Sequence, residues 1–192
     1  MSEKKISSRV VTPEFRVSFP SVFQAKMNDM SGKEEYSVVA LFPKNADLSA
    51  LKALAQKVIQ EKWPDGTPSN FRSPFRNQGE KKKTENGKTF LPDGYEDGAV
   101  FINLKSQQKP GVVDGSMQPI LSATDFYPGC YARASVSCYA YDIKGNRGVA
   151  FGLGNIQKVR DGEAFGGRSK PEEDFAPIAG AATSQVVDPF AV

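Results

Sequence analysis

Aromatic and cationic side chains recur along this chain at a spacing that suits one kind of ligand. Phe101, Asn103 and Lys105 are two residues apart, so an extended strand puts all three on one face. Arg133, Tyr139 and Tyr141 share parity on a later stretch. Arg72, Phe75 and Arg76 place a ring between two cations, and Lys81, Lys82 and Lys83 follow as a basic run. Cations replace the counterions of a phosphate chain, and flat rings give unpaired bases a surface to stack on. A single-stranded nucleic acid asks for both. Each residue also has a plainer use. Phe101 can fill a second core, Tyr139 and Tyr141 can pack beneath another segment, and a lysine run can be solvated loop. The coincidence of several carries the reading.

Catalytic chemistry finds less support. The chain has no histidine, which removes Ser-His, Cys-His and His-metal arrangements. Its two cysteines, Cys130 and Cys138, make a poor zinc site and are expected to be small buried hydrophobes. Asp93, Glu96 and Asp97 do not have the spacing of a calcium loop. Gly152-Leu-Gly154 lacks the rest of a dinucleotide fingerprint, and there is no phosphate-loop sequence. The expectation is a binding protein without enzyme activity, metal or cofactor.

The elements that must position these residues read mainly as strands. Phe15, Val17 and Phe19 alternate with Arg16 and Ser18 until Pro20 interrupts. A turn cluster at 28–32 leads to a second strand over 36–42. Asp47 can cap a helix in which Leu48, Leu51, Leu54, Ala55, Val58 and Ile59 recur at helical spacing. Residues 64–97 show no clear periodicity and are expected to be a long basic loop insertion. Residues 99–105, 131–143 and 148–159 alternate as three further strands. Lys144-Gly145-Asn146 marks a hairpin turn between the last two, and Gly152 and Gly154 allow a bulge. The fold class expected is all-β, a small β-barrel with one packed α-helix.

After Arg160 the pattern dissolves, so residues 1–160 are expected to form the domain and 161–192 a disordered tail. Residues 169–192 hold one cation and four anions, which leaves +6 on the remainder of a chain whose total is +3. A basic body tied to an acidic segment suggests a polyanion ligand and an internal competitor for it. Glu172, Glu173, Asp174 and Phe175 set three negative charges beside an aromatic, as mimics of phosphate and base; a solubilising tail is the plainer alternative. The N-terminus lacks the apolar stretch of a secretory signal, and no run approaches the ~20 apolar residues of a membrane helix. A cytosolic protein is expected.

Several runs, in order, carry a resemblance. They are Asp93-Gly-Tyr95, Gly98 to Lys105, Tyr127-Pro-Gly-Cys-Tyr131, Gly148 to Gln157, and Asp161 to Gly167 leading to Asp174-Phe175. In these the chain resembles the phage single-stranded DNA-binding proteins once catalogued as a family of unknown function. The resemblance implies an OB-fold, a role in phage DNA replication and recombination, and a place in the cytoplasm of the infected bacterium. It implies single-stranded DNA as partner, with replication proteins as partners of the acidic tail. Two features depart from the pattern. The acidic cluster precedes an uncharged stretch and the chain ends Phe190-Ala-Val192. The usual OB order also sets the helix between strands three and four. Either residues 8–23 form two strands split at Pro20, or the helix occupies another connection.

The rival expectations are a single-strand annealing recombination protein, a carboxylate-metal nuclease, and a non-catalytic phage structural or interaction protein.

Overall fold

The structure, a computed structural model, describes residues 9–166 together with 175, 176 and 178. Strand β1 (Val10–Val11) leads into the long β2 (Phe15–Asn28), which turns into β3 (Lys33–Leu41). Helix α1 (Ser49–Lys62) follows. Next come β4 (Phe71–Arg72), β5 (Arg76–Asn77), a 3-10 turn (Gln78–Lys81), and a hairpin of β6 (Lys83–Glu85) and β7 (Lys88–Phe90). β8 (Val100–Ser106), β9 (Val112–Val113), β10 (Tyr131–Ile143) and β11 (Asn146–Arg160) complete the mostly β architecture.

The ladders return on themselves. β2 pairs with β3, and β3 with β8, both antiparallel. β8 runs parallel to β11, which pairs antiparallel with β10. β10 meets β2 again through Tyr131 opposite Arg16 and Ala132 opposite Phe15. Alternation then decides the core, because every second side chain faces inward. Phe15, Val17, Val38, Ala40, Ile102, Leu104, Ala132, Ala134, Val136, Val149, Phe151 and Leu153 are buried there. A register shift opposite Ala134–Val136 falls at Gly154 and Asn155, so the expected bulge in this strand is present.

Phe19 breaks its expected parity. It adopts φ +43° just before Pro20, the ladder shifts register there, and the ring turns out to 67 % exposure. The strand is thus bulged at Pro20 but not split. The helix question resolves accordingly: α1 lies in the connection between β3 and β8. It packs against β10, β1 and β11, and buries Leu51, Leu54 and Ala55. Asp47 accepts the Ser49 amide at 3.0 Å, and hydrogen bonds from Ser49 hold its carboxyl below the usual range.

Two sequence expectations need correction. Residues 64–97 are organised: β4 joins β11, β5 joins β8, and Asn86-Gly87 (φ +51° and +76°) closes the β6–β7 hairpin. Asn-Gly between short β-forming runs is a hairpin signal, and the surrounding lysines obscured it. Gln78 fastens the segment. Its buried amide donates to the carbonyls of Phe42 and Val100, both at 2.9 Å, and accepts the Glu96 amide at 2.7 Å.

The second correction moves the end of the body beyond Arg160. Residues 161–166 fold back over the β2–β10 seam. Arg16 donates to the Glu163 carbonyl at 2.8 Å, and the Phe165 ring centre lies 4.4 Å from its guanidinium. Tyr127 donates to Asp161, and Phe165 donates its amide to the Pro128 carbonyl. The strap passes over Gly129 (φ +108°) so closely that a Cβ there would meet the Glu163 carbonyl oxygen. Glycine is needed at that position for both conformation and space. Gly129→Ala is therefore expected to lower stability by about 2 kcal/mol or more, read as a shifted urea midpoint with unchanged slope.

Candidate nucleic-acid interface

The outward positions of β11 start the site because they carry almost no side chain. They are Gly148, Ala150, Gly152 and Gly154. A Cβ at Gly148 would lie 2.6 Å from the Tyr141 hydroxyl, and one at Gly152 would lie 2.7 Å from Ser137 Oγ and 3.8 Å from Tyr139 Cε1. Glycine here lets the Tyr141 and Tyr139 rings lean over the neighbouring strand. The ladder places Tyr139 opposite Ala150 and Tyr141 opposite Gly148. Tyr139 is 48 % exposed and Tyr141 is half-buried. The result is a shallow trough along β11, whose glycines are overlain by Ser135, Ser137 and the Tyr141 hydroxyl, with the two tyrosines on its β10 side.

The opposite wall is polar and basic. Lys105 of β8 is level with Gly152, and Gly152 with Ser137, so the row crosses three strands. Asn103 and Lys105 are both exposed on this wall. Arg72 on β4 is level with Gly148 and exposed, and has no ion-pair partner among the described residues. Strand register thus brings together Arg72, Asn103, Lys105, Tyr139 and Tyr141. Burial, and then the charge of nearby Glu35, push the Tyr139 phenol above the ordinary tyrosine range. The phenol therefore stays neutral at physiological pH.

The remaining expected contacts lie elsewhere. Phe101 is fully buried on the outer side of β8, beneath Arg76 and Lys81, whose charged groups lie 5.0 and 5.2 Å from its ring centre. It cannot offer a face to a base in this structure. Phe75 turns inward and meets Phe151 edge-on at 5.6 Å, so it plugs the core rather than standing between the cations. Arg76 is paired with Glu80 at 2.7 Å and Lys82 with Asp97 at 2.6 Å. Lys83 is exposed on the β6–β7 hairpin. Arg133 shares the outward parity of β10 but sits six residues from Tyr139, hydrogen-bonded to Gln157 at 2.8 Å. Six residues of strand is roughly 20 Å, which takes Arg133 out of the trough. Of the tail residues, Glu172, Glu173 and Asp174 lie outside the described residues, and Phe175 is 75 % exposed.

Sequence reasoning missed an aromatic–guanidinium stack on the other side of the ring. Arg16 lies between Phe165 and Tyr131, and Arg160 lies 3.6 Å from the Tyr131 ring centre while pairing with Glu14. The strap, the seam and a cleft of about 280 Å³ meet there. These residues are far apart in sequence, and no local spacing announces them. The cysteines are free; Cys130 is buried as expected, whereas Cys138 is half-buried, and burial raises both thiols, Cys138 to about 12. Among the described residues no group of three or more metal-ligating side chains is assembled.

Comparison with known proteins adds to this geometry. A family described as "Enterobacter phage Enc34, ssDNA-binding protein" matches residues 8–187. Putative protein p50 of Acyrthosiphon pisum secondary endosymbiont phage 1 is 31 % identical over 169 residues, covering 85 % of this chain and 90 % of that protein. Among solved structures, a C-terminal truncation of the single-stranded DNA-binding protein from bacteriophage Enc34 matches with a TM-score of 0.61 at 17 % identity, over 83 % of this chain and 90 % of that one. The same phage protein in complex with ssDNA matches with a TM-score of 0.61 at 17 % identity, over 84 % and 91 %. Gp2.5, a single-stranded DNA-binding protein of bacteriophage T7, matches with a TM-score of 0.58 at 12 % identity, over 85 % and 95 %. At these identities the structural likeness is one of fold.

The burial of Phe101 gives a direct expectation. Phe101→Ala should cost about 3–5 kcal/mol of stability, measured by urea unfolding, as a buried ring does and an exposed stacking ring does not.

Proposed function

Because the chain belongs to the family of the Enterobacter phage Enc34 single-stranded DNA-binding protein, we propose that it binds single-stranded DNA along the glycine-floored trough, without reading sequence and without catalysis. The observation that carries this is the pairing of two tyrosines on β10 with a polar and basic wall on β8 and β4, across the glycine-rich strand β11. Bases stack on Tyr139 and Tyr141, while Lys105 and Arg72 balance phosphates and Asn103 supplies a neutral polar contact. No fixed hydrogen-bond pattern aligned to base edges is needed, so any sequence can be held. The β6–β7 hairpin also carries exposed cations, Lys83 and Lys88.

The ring of five strands is then an OB-type barrel, with its helix in the second connection rather than the third. The role is protection and presentation of single strands during phage DNA replication and recombination, in the cytoplasm of the infected cell. The acidic segment Glu172–Phe175 competes for the basic surface and contacts replication proteins; its charge, opposite to that of the body, supports this.

Fluorescence titration of labelled poly-dT at two salt concentrations tests the reading. Tyr139→Ala and Tyr141→Ala should each weaken binding by about 1–3 kcal/mol. Lys105→Ala should lower the salt slope by roughly 0.7. Deleting residues 169–192 should tighten binding at low salt. Affinity that none of the three point variants alters would refute the trough, and an unchanged affinity after the deletion would refute the tail's competition.

A further inference from the structure

One carboxylate stands where a phosphate chain would be repelled. Glu35 lies two residues before Ser37 on β3, and Ser37 is level with Lys105. Its carboxylate is 3.6 Å from the Lys105 ammonium. Asn28, across the β2–β3 hairpin, donates its side-chain amide to the same Glu35 oxygen at 2.7 Å. The Glu35 side chain is 17 % exposed against 45 % for Lys105, so it is the better-held member of the pair. Its field also reaches Tyr139 on the far wall. Asn28 alone would satisfy a neutral acceptor at this position. The negative charge is what pairs with the lysine.

We propose that Glu35 is an internal stand-in for phosphate: it occupies Lys105 in the free protein, and a bound strand must displace it to use that cation. The inference rests on the trough reading and assigns it a residue that sets affinity. An unpaired, half-exposed lysine samples many rotamers, and fixing one on binding costs entropy. Held toward Glu35, the ammonium stays at the edge of the trough in a contact that is easily exchanged, because exposed ion pairs are weak. Exchange of one anion for another keeps the cation positioned and moderates the gain, which favours release of the strand when a later enzyme needs it. The pairs Lys82–Asp97 and Arg76–Glu80 lie beside β5 and the turn that follows it, so they do not act on this lysine.

Glu35→Gln keeps the side-chain shape and an acceptor for Asn28. Anisotropy titration of a labelled dT oligomer should show about fivefold tighter binding at low salt, the upper range for releasing an exposed pair. In a Lys105→Gln background the same change should alter affinity less than about twofold, because its partner is gone. Glu35→Ala should show the same gain if the glutamine variant folds poorly, with a thermal melt as the check on folding. Binding unchanged or weaker in the Glu35 variants overturns the proposal. So does an equal gain in both backgrounds, which would make Glu35 a distant charge. Failure of the wild-type chain to bind the oligomer is a separate result that refutes the trough itself.

Discussion

Two backbone register pairs join β10 to β2, and through them the ring of strands closes. Closure makes neighbouring strands tilt and step past one another, and that stagger decides which residues fall level. β8 meets the middle of β11, with Lys105 beside Gly152, while the hairpin turn at Lys144-Gly145 sets the end of β11 against the start of β10 at Tyr131 and Arg160. The short seam is reinforced from outside. Arg16 donates to the carbonyls of Gly129 and Glu163, and Phe165 covers its guanidinium. The strap that follows β11 is thus part of what holds the opposite wall of the molecule in place.

The outer surface divides along the same lines. On one side the glycines of β11 let the serines and tyrosines of β10 lie close over the sheet, facing a basic wall. On the other, tyrosine, phenylalanine and arginine stack on one another over the seam between β2 and β10. Both sides combine aromatics with cations, yet accessibility separates them. Tyr139 has a free face, whereas the Tyr131 ring is covered by Arg160 and Arg16. Composition alone could not have told the two apart.

The parity of side chains along each strand was legible in the sequence. It placed Asn103, Lys105, Tyr139 and Tyr141 outward and Ala132, Ala134 and Val136 inward, as found. Local turn chemistry was legible too, at Lys144-Gly145 and at the glycines of β11. What lies over each face was not, because that depends on contacts distant in sequence. Phe101 has outward parity but is roofed by a turn some twenty residues earlier, fixed by Gln78. Phe19 lost its parity to a single positive φ beside Pro20. The strap's start was hidden because Asp161-Gly-Glu-Ala reads as loop until Arg16, from the far end of the chain, is placed under it.

The central claim is that a single strand lies in the trough between Tyr139 and Tyr141 on one wall and Lys105 on the other. Photo-crosslinking with an oligonucleotide carrying bromodeoxyuridine at each position in turn, followed by peptide mass spectrometry, maps the path of the strand directly. The account predicts crosslinks concentrated on peptides containing Tyr139 and Tyr141. Crosslinks confined to Tyr131, Phe165 and their neighbours, with the β10–β11 hairpin unlabelled, would contradict it.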